Sequence, residues 1–183
     1  YFHYLALTRI GAIPAFVNGG LLPEIASKYL SNIKADLLVS EGERLDKILA
    51  FSTEIDGRIE SRLAVEEQPF TEACDIYDHK AEDTVLISHT SGTTGLPKAV
   101  SFSHESIIYG VKKQLERQLG DTVLSAAPHS HAAAITMLMS NILRMNHLVL
   151  ISDKSPDSVV TAIETFKPSM MFAFPSIYVD LCR

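Results

Sequence analysis

The sequence predicts an α/β fold, with strands and helices alternating to form a mostly parallel sheet covered by helices on both faces, and one strand–loop–strand hairpin within it. Three observations carry this. Short apolar runs such as Thr84-Val85-Leu86-Ile87 alternate with longer stretches of helical periodicity, the order that builds parallel sheets. Residues 122–143 contain no Asp, Glu, Lys or Arg, as a buried strand followed by a packed helix requires. A Gly- and hydroxyl-rich stretch follows directly on one strand and leads into another, a loop held by a rigid scaffold.

The elements follow in order. Residues 1–10 read as the end of a helix closed by Gly11, and 13–17 as a short strand. Pro23 suits a first helical turn and opens a helix to about residue 32. A strand at 36–40 and a helix at 43–51 come next. Residues 52–83 hold ten acidic and three basic residues, a solvated excursion with one possible strand at 59–65 and otherwise loop. Beyond it the pattern is regular. A strand at 84–88, the loop at 90–98 and a strand at 99–102 lead to Ser103, a good N-cap. The helix from about 104 to 119 carries Ile107, Ile108, Val111, Leu115 and Leu119 on one face and ends at Gly120. A strand at 122–126, a helix at 132–144, a strand at 147–151, a helix at 156–166 capped by Ser155 or Asp157, a strand at 169–173 and a helix from Pro175 complete the chain. Met137 and Met139 read as core filling.

Composition bounds the function. At 183 residues, 46% hydrophobic and 21% charged, the chain is long enough for one domain with a real core. The net charge of −6, without a basic stripe, argues against nucleic acid. Pro128, two histidines and several serines interrupt the uncharged run 122–143, so a strand–turn–helix explains it better than a membrane span. Cys74 and Cys182 form no C-x-x-C pattern and read as small buried residues of a reducing compartment. The chain begins Tyr-Phe-His and has no signal peptide, which implies a piece of a longer, cytoplasmic protein.

The loop itself, Thr90-Ser91-Gly92-Thr93-Thr94-Gly95-Leu96-Pro97-Lys98, has the parts of a phosphate cradle. Glycines let the backbone approach an anion, N–H groups and hydroxyls donate to its oxygens, and the lysine supplies charge. It is neither a Walker-type loop, because Ala99 rather than Ser or Thr follows Lys98, nor a dinucleotide fingerprint, because no G-x-G-x-x-G is present. A kinase-like phosphate-binding fold is disfavoured for the same reason.

These residues resemble the signature of the adenylate-forming superfamily: acyl- and aryl-CoA synthetases, adenylation domains of nonribosomal peptide synthetases, and luciferase. The pattern T-S-G-[ST]-T-G-x-P-K-G-V is matched from Thr90 to Val100 at every fixed position except Ala99, where the family usually has glycine. Ala there is costly if the backbone needs a positive φ and harmless in a strand. Pro128-His129-Ser130-His131 matches the family's P-x-x-H, with His129 as an extra histidine. Residues 6–18 and Phe174-Pro175-Ser176 are similar to its early helix–turn–strand and its later strand-to-helix turn.

The resemblance implies ATP-dependent activation of a carboxylic acid, fatty or aromatic, as an acyl-adenylate. CoA or the phosphopantetheine of a carrier protein would then accept the acyl group. Thr90, Ser91, Gly92, Thr93, Thr94, Gly95 and Lys98 would hold ATP in a loop that closes over it, with Thr94 meeting the ATP-bound Mg²⁺. Lys98 and His131 would act in catalysis, His131 by orienting the carboxylate. His104, first in its helix, is either an ordinary polar residue there or an indirect aid in placing the loop. Ala132-Ala133-Ala134-Ile135 suits an apolar acid pocket and core packing equally. The whole of 1–183 would be a partial adenylation domain: a first α/β portion (1–51), the acidic variable excursion (52–83) and the phosphate-loop portion (84–183). The family's Y-G-x-T-E element and terminal lysine are not found, so the chain is expected to be incomplete as an enzyme and to need the rest of one. A peptide-synthetase-like domain or a non-catalytic nucleotide-binding remnant are the alternatives.

Overall fold

The computed structural model describes residues 1–51, 55, 57–61, 65, 67–69, 74–90, 96–117 and 120–183. Among them, helix α1 (Phe2–Arg9) is followed by α2 (Pro23–Ile33), strand β1 (Leu37–Ser40), α3 (Gly42–Leu49) and β2 (Arg58–Ser61). Then come β3 (Thr84–Thr90), β4 (Lys98–Ser103), α4 (His104–Arg117), β5 (Thr122–Ser125), α5 (Ala132–Arg144), β6 (His147–Leu150), α6 (Pro156–Phe166), β7 (Met170–Phe172) and α7 (Pro175–Leu181).

Local chemistry sets most of these boundaries. Pro23 stands in the first turn of α2, where its missing N–H costs nothing. The Ser103 hydroxyl accepts from the Ser106 N–H at 3.2 Å, the N-cap of α4. Gly120 reverses the chain after that helix at φ +89°, and a Cβ there would lie 2.1 Å from the Ser169 hydroxyl. Of the two candidate caps for α6, Ser155 serves: its hydroxyl accepts from the Ser158 N–H at 3.4 Å. Asp153 braces that cap, accepting from the Ser155 N–H at 2.9 Å and from the Ser155 and Ser158 hydroxyls at 2.8 and 2.5 Å.

The α/β class is as expected, but the described strands fall into three small sheets. β1 pairs with β2 and β5 lies between β6 and β7, all parallel, while β3 and β4 form the antiparallel hairpin. The expected strand at 13–17 reduces to one parallel bridge between Ala15 and Ile87. Pro14 has no N–H to donate, so the ladder cannot extend through it. Its carbonyl still accepts from the Ile87 N–H at 2.9 Å, and the Phe16 N–H donates to the Ile87 carbonyl at 3.2 Å. The strand expected at 59–65 is described only as β2, and part of that range lies outside the described residues.

Burial joins the hairpin to the helices. Tyr4 of α1, Val85 and Leu86 of β3, Ile107 and Val111 of α4, and Ala132 and Ile135 of α5 form one core cluster. Full burial of a side chain the size of Leu86 or Ile135 is worth about 1.5–3 kcal/mol. Leu124, Val149, Val159 and Ala162 form a second cluster under α6, and Ala26, Leu30 and Ile48 a third between α2 and α3. Ala132, Ala134 and Ile135 are all buried, so core packing accounts for the apolar run after His131. Met137 is fully buried and Met139 packs against the first cluster. Both cysteines, expected to be buried, are exposed free thiols.

Candidate functional site

The site is built on the end of β3. The hairpin register makes Thr90 and Lys98 Cα partners at the end of the ladder. Both flanking residues are exposed. Lys98 is thus the first residue of β4, not the last of a loop. The calls on Ser91, Gly92, Thr93, Thr94 and Gly95 lie outside the described residues. Ala99 pairs with His89 inside the ladder, and the positive-φ non-glycine residues described are Lys34, Met145 and Lys167. Ala at the family's glycine position is therefore an ordinary strand residue.

The structure brings the P-x-x-H turn to the same place. The buried Ser88 hydroxyl, two residues before Thr90, donates to the Ser130 carbonyl at 3.4 Å. His131 caps α5, its Nδ1 accepting from the Ala133 N–H at 3.2 Å, while its ring meets Phe174 edge-on at 5.4 Å. The imidazole is thereby oriented at an exposed helix start. His129 turns inward instead. It lies against Tyr1 with ring centroids 5.2 Å apart, and burial lowers its pKa, with the Lys154 charge adding to the effect.

His104 is the first residue of α4. It starts at the far end of β4 from Lys98, where its N–H donates to the Asp83 carbonyl at 2.8 Å and its ring stacks on His79 at 5.4 Å.

Sequence reasoning missed His89. Its Nε2 accepts the Asn18 N–H at 3.1 Å, and Tyr29 of α2 meets its ring edge-on at 5.4 Å. Burial lowers its pKa, and repulsion from His131 lowers it further. The available signal was a polar aromatic residue directly before the Gly/Thr stretch; its partner stands 71 residues away.

Among the described residues, no group of three His, Cys, Asp or Glu could hold a metal ion. A Mg²⁺ that travels on a triphosphate needs no such cluster, because phosphate oxygens and water supply most of its ligands.

The scaffold is an α/β one whose antiparallel hairpin is flanked at its open end by Thr90 and Lys98, with the turn that carries His131 bonded to Ser88 of the same strand. The family model described as AMP-binding enzyme matches residues 1–183, and the chain belongs to that family. It is 32% identical to a 3-aminoavenalumate diazotase from a Streptomyces species over 98% of this chain and 32% of that protein. It is 27% identical to 4-coumarate–CoA ligase 3 of Arabidopsis thaliana over 100% of this chain and 36% of the ligase. The chain thus spans about a third of the length of these relatives. Among solved structures, ATP-bound MatB from Rhodopseudomonas palustris superposes with a TM-score of 0.81 at 20% identity, over 98% of this chain and 38% of that one. A luciferase-like enzyme from the mealworm Zophobas morio gives 0.82 at 21%, over 97% and 45%. These two likenesses establish the fold. Among the described residues, no helix is long and apolar enough to cross a membrane.

Proposed function

We propose that the chain is part of an enzyme that activates a carboxylic acid with ATP in the manner of an acyl-CoA synthetase. The carrying observation is the convergence of Thr90, Lys98 and the 128–131 turn on the end of β3, in a chain that matches the AMP-binding family throughout. A carboxylate oxygen attacks the α-phosphorus of ATP, the α–β bridging bond breaks, and acyl-adenylate and pyrophosphate form. A thiol of CoA or of a carrier phosphopantetheine then displaces AMP to give the thioester.

The first step sets two anions against each other, and charge builds on the leaving pyrophosphate. Preorganised donors aimed at that charge lower the barrier. Lys98 and Thr90 would bind the outer phosphates with residues 91–95, and Thr94 would meet the ATP-bound Mg²⁺. That ion supplies charge neutralisation when bound. His131, held by its cap and by Phe174, would orient the carboxylate. An aromatic acid is the favoured substrate class, because relatives are named for coumarate and ferulate. This chain alone would bind nucleotide without completing the reaction.

The test is calorimetric titration of ATP–Mg²⁺ into the chain beside Lys98→Ala. Loss of a charge-assisted phosphate contact worth about 1.5–3 kcal/mol weakens binding by about 10- to 150-fold. Equal affinity in both proteins would refute the assignment. Substrate-dependent pyrophosphate release by the chain would overturn its incompleteness.

One observation favours a second reading: the relative at 32% identity is named a diazotase. There the activated group would be the nitrogen source that converts an aromatic amine to a diazo group. ATP turnover by the parent protein with aromatic acid, against aromatic amine plus nitrite, separates the two.

A further inference from the structure

Residues 14–18 run parallel to β3 and bond to it through the Pro14 carbonyl and the Phe16 N–H, both at Ile87. The next ladder position would have the Asn18 N–H donating to the backbone carbonyl of His89. It donates instead to the His89 side chain, Nε2, at 3.1 Å. The ring thus takes over the last rung of the strap. The Asn18 side chain fixes the turn beyond, its Oδ1 accepting from the Gly20 N–H at 2.9 Å. Tyr29 on α2 closes the other side of the ring. Three segments distant in sequence therefore meet at one imidazole, one residue before Thr90.

An imidazole accepts at Nε2 only when neutral; the imidazolium donates at both nitrogens. Among the described residues, the titratable groups acting on the ring are the Tyr29 phenol on α2 and His131 before α5, and the facing β4 residue, Ala99, brings none. His131 opposes a charge on His89.

We propose that His89 is a positioning residue of the nucleotide site: its neutral ring locks the 14–18 strap to the end of β3 and so holds Thr90 beside the 128–131 turn, and its protonation releases the strap. The functional half of this rests on the ATP-activation reading above; the structural half does not. Burial and His131 both keep the ring neutral to lower pH than an ordinary histidine, so the lock is closed near neutrality and opens on acidification.

The experiment is an NMR titration of the chain from about pH 8 to about pH 5, following the Asn18 amide and the His89 ring nitrogens, with His89→Gln and His89→Ala beside it. Gln offers an amide oxygen as acceptor and does not titrate. The expected result is an Asn18 amide that shifts with the His89 midpoint in the wild type, stays protected at every pH in His89→Gln, and is unprotected throughout in His89→Ala. An Asn18 amide blind to the His89 titration overturns the lock, and this needs no variant to fold. In the same samples, ATP–Mg²⁺ affinity of the wild type should fall about 3- to 10-fold through the midpoint, the loss of one net hydrogen bond, and stay level in His89→Gln. The same pH profile in His89→Gln would overturn the positioning role. Absence of ATP binding at any pH refutes the activation reading and the functional half with it, while the Asn18 titration still decides the lock.

Discussion

Thr90 and Lys98 are register partners at the open end of an antiparallel hairpin, and Ser88, two residues back, is bonded to the turn that carries His131. One strand end therefore gathers a lysine, a hydroxyl and an imidazole from segments more than thirty residues apart. The β3–β4 ladder holds the first two, and the Ile135 core seat of α5 holds the third.

Ala99→Gly, which restores the usual family glycine, should not improve the site. Ala99 lies in the ladder opposite His89 and has no positive φ for glycine to relieve. Gly in a strand interior costs about 0.5–1 kcal/mol relative to Ala. A urea melt should show a loss of that size with ATP affinity unchanged. Tighter nucleotide binding would mean that residue 99 needs a backbone conformation other than the strand.

Ile135→Ala should destabilise the chain by about 2–5 kcal/mol, and Ile135→Val by about 0.5–1.5 kcal/mol. Ile135 is fully buried against β3, α1 and α4, so a cavity opens where α5 seats the hairpin. Chemical denaturation gives both numbers. If both variants cost less than about 0.5 kcal/mol, as surface substitutions do, α5 does not hold the hairpin.

Acid stability should carry a signature of Asp153. Hydrogen bonds from the Ser158 hydroxyl and from the Ser155 N–H and hydroxyl lower its pKa to about 2, against 3.8 for an ordinary aspartate. A carboxyl depressed in the folded state binds fewer protons there than when unfolded. Its contribution is therefore complete above about pH 4 and is lost as the pH falls towards 2. Denaturation across that window should be steeper for wild type than for Asp153→Asn. Parallel profiles would show that the α6 cap does not depend on the charge.

Much of the fold was legible because its cues are local. Pro23, Ser103, Ser155 and Gly120 stand where helix ends require them, and the apolar periodicity of 104–117 matches the buried Ile107 and Val111. The motifs at 90–100 and 128–131 were legible as a family signature because their residue types stand at fixed spacing, whereas the capping of α5 by His131 came only with the structure. The strand at 13–17 was misread because apolar composition hid the effect of Pro14 on the ladder.

The sequence alone determined the α/β class, the helix boundaries and the signature that leads to the family, since each depends on neighbours within a few residues. Tertiary structure decided the division of the described strands into three sheets, the half-burial of His129 against the exposure of His131, and the seating of His89 on Asn18. Strand partners and ring contacts across 71 residues are chosen by packing of the whole chain, and no local propensity encodes them.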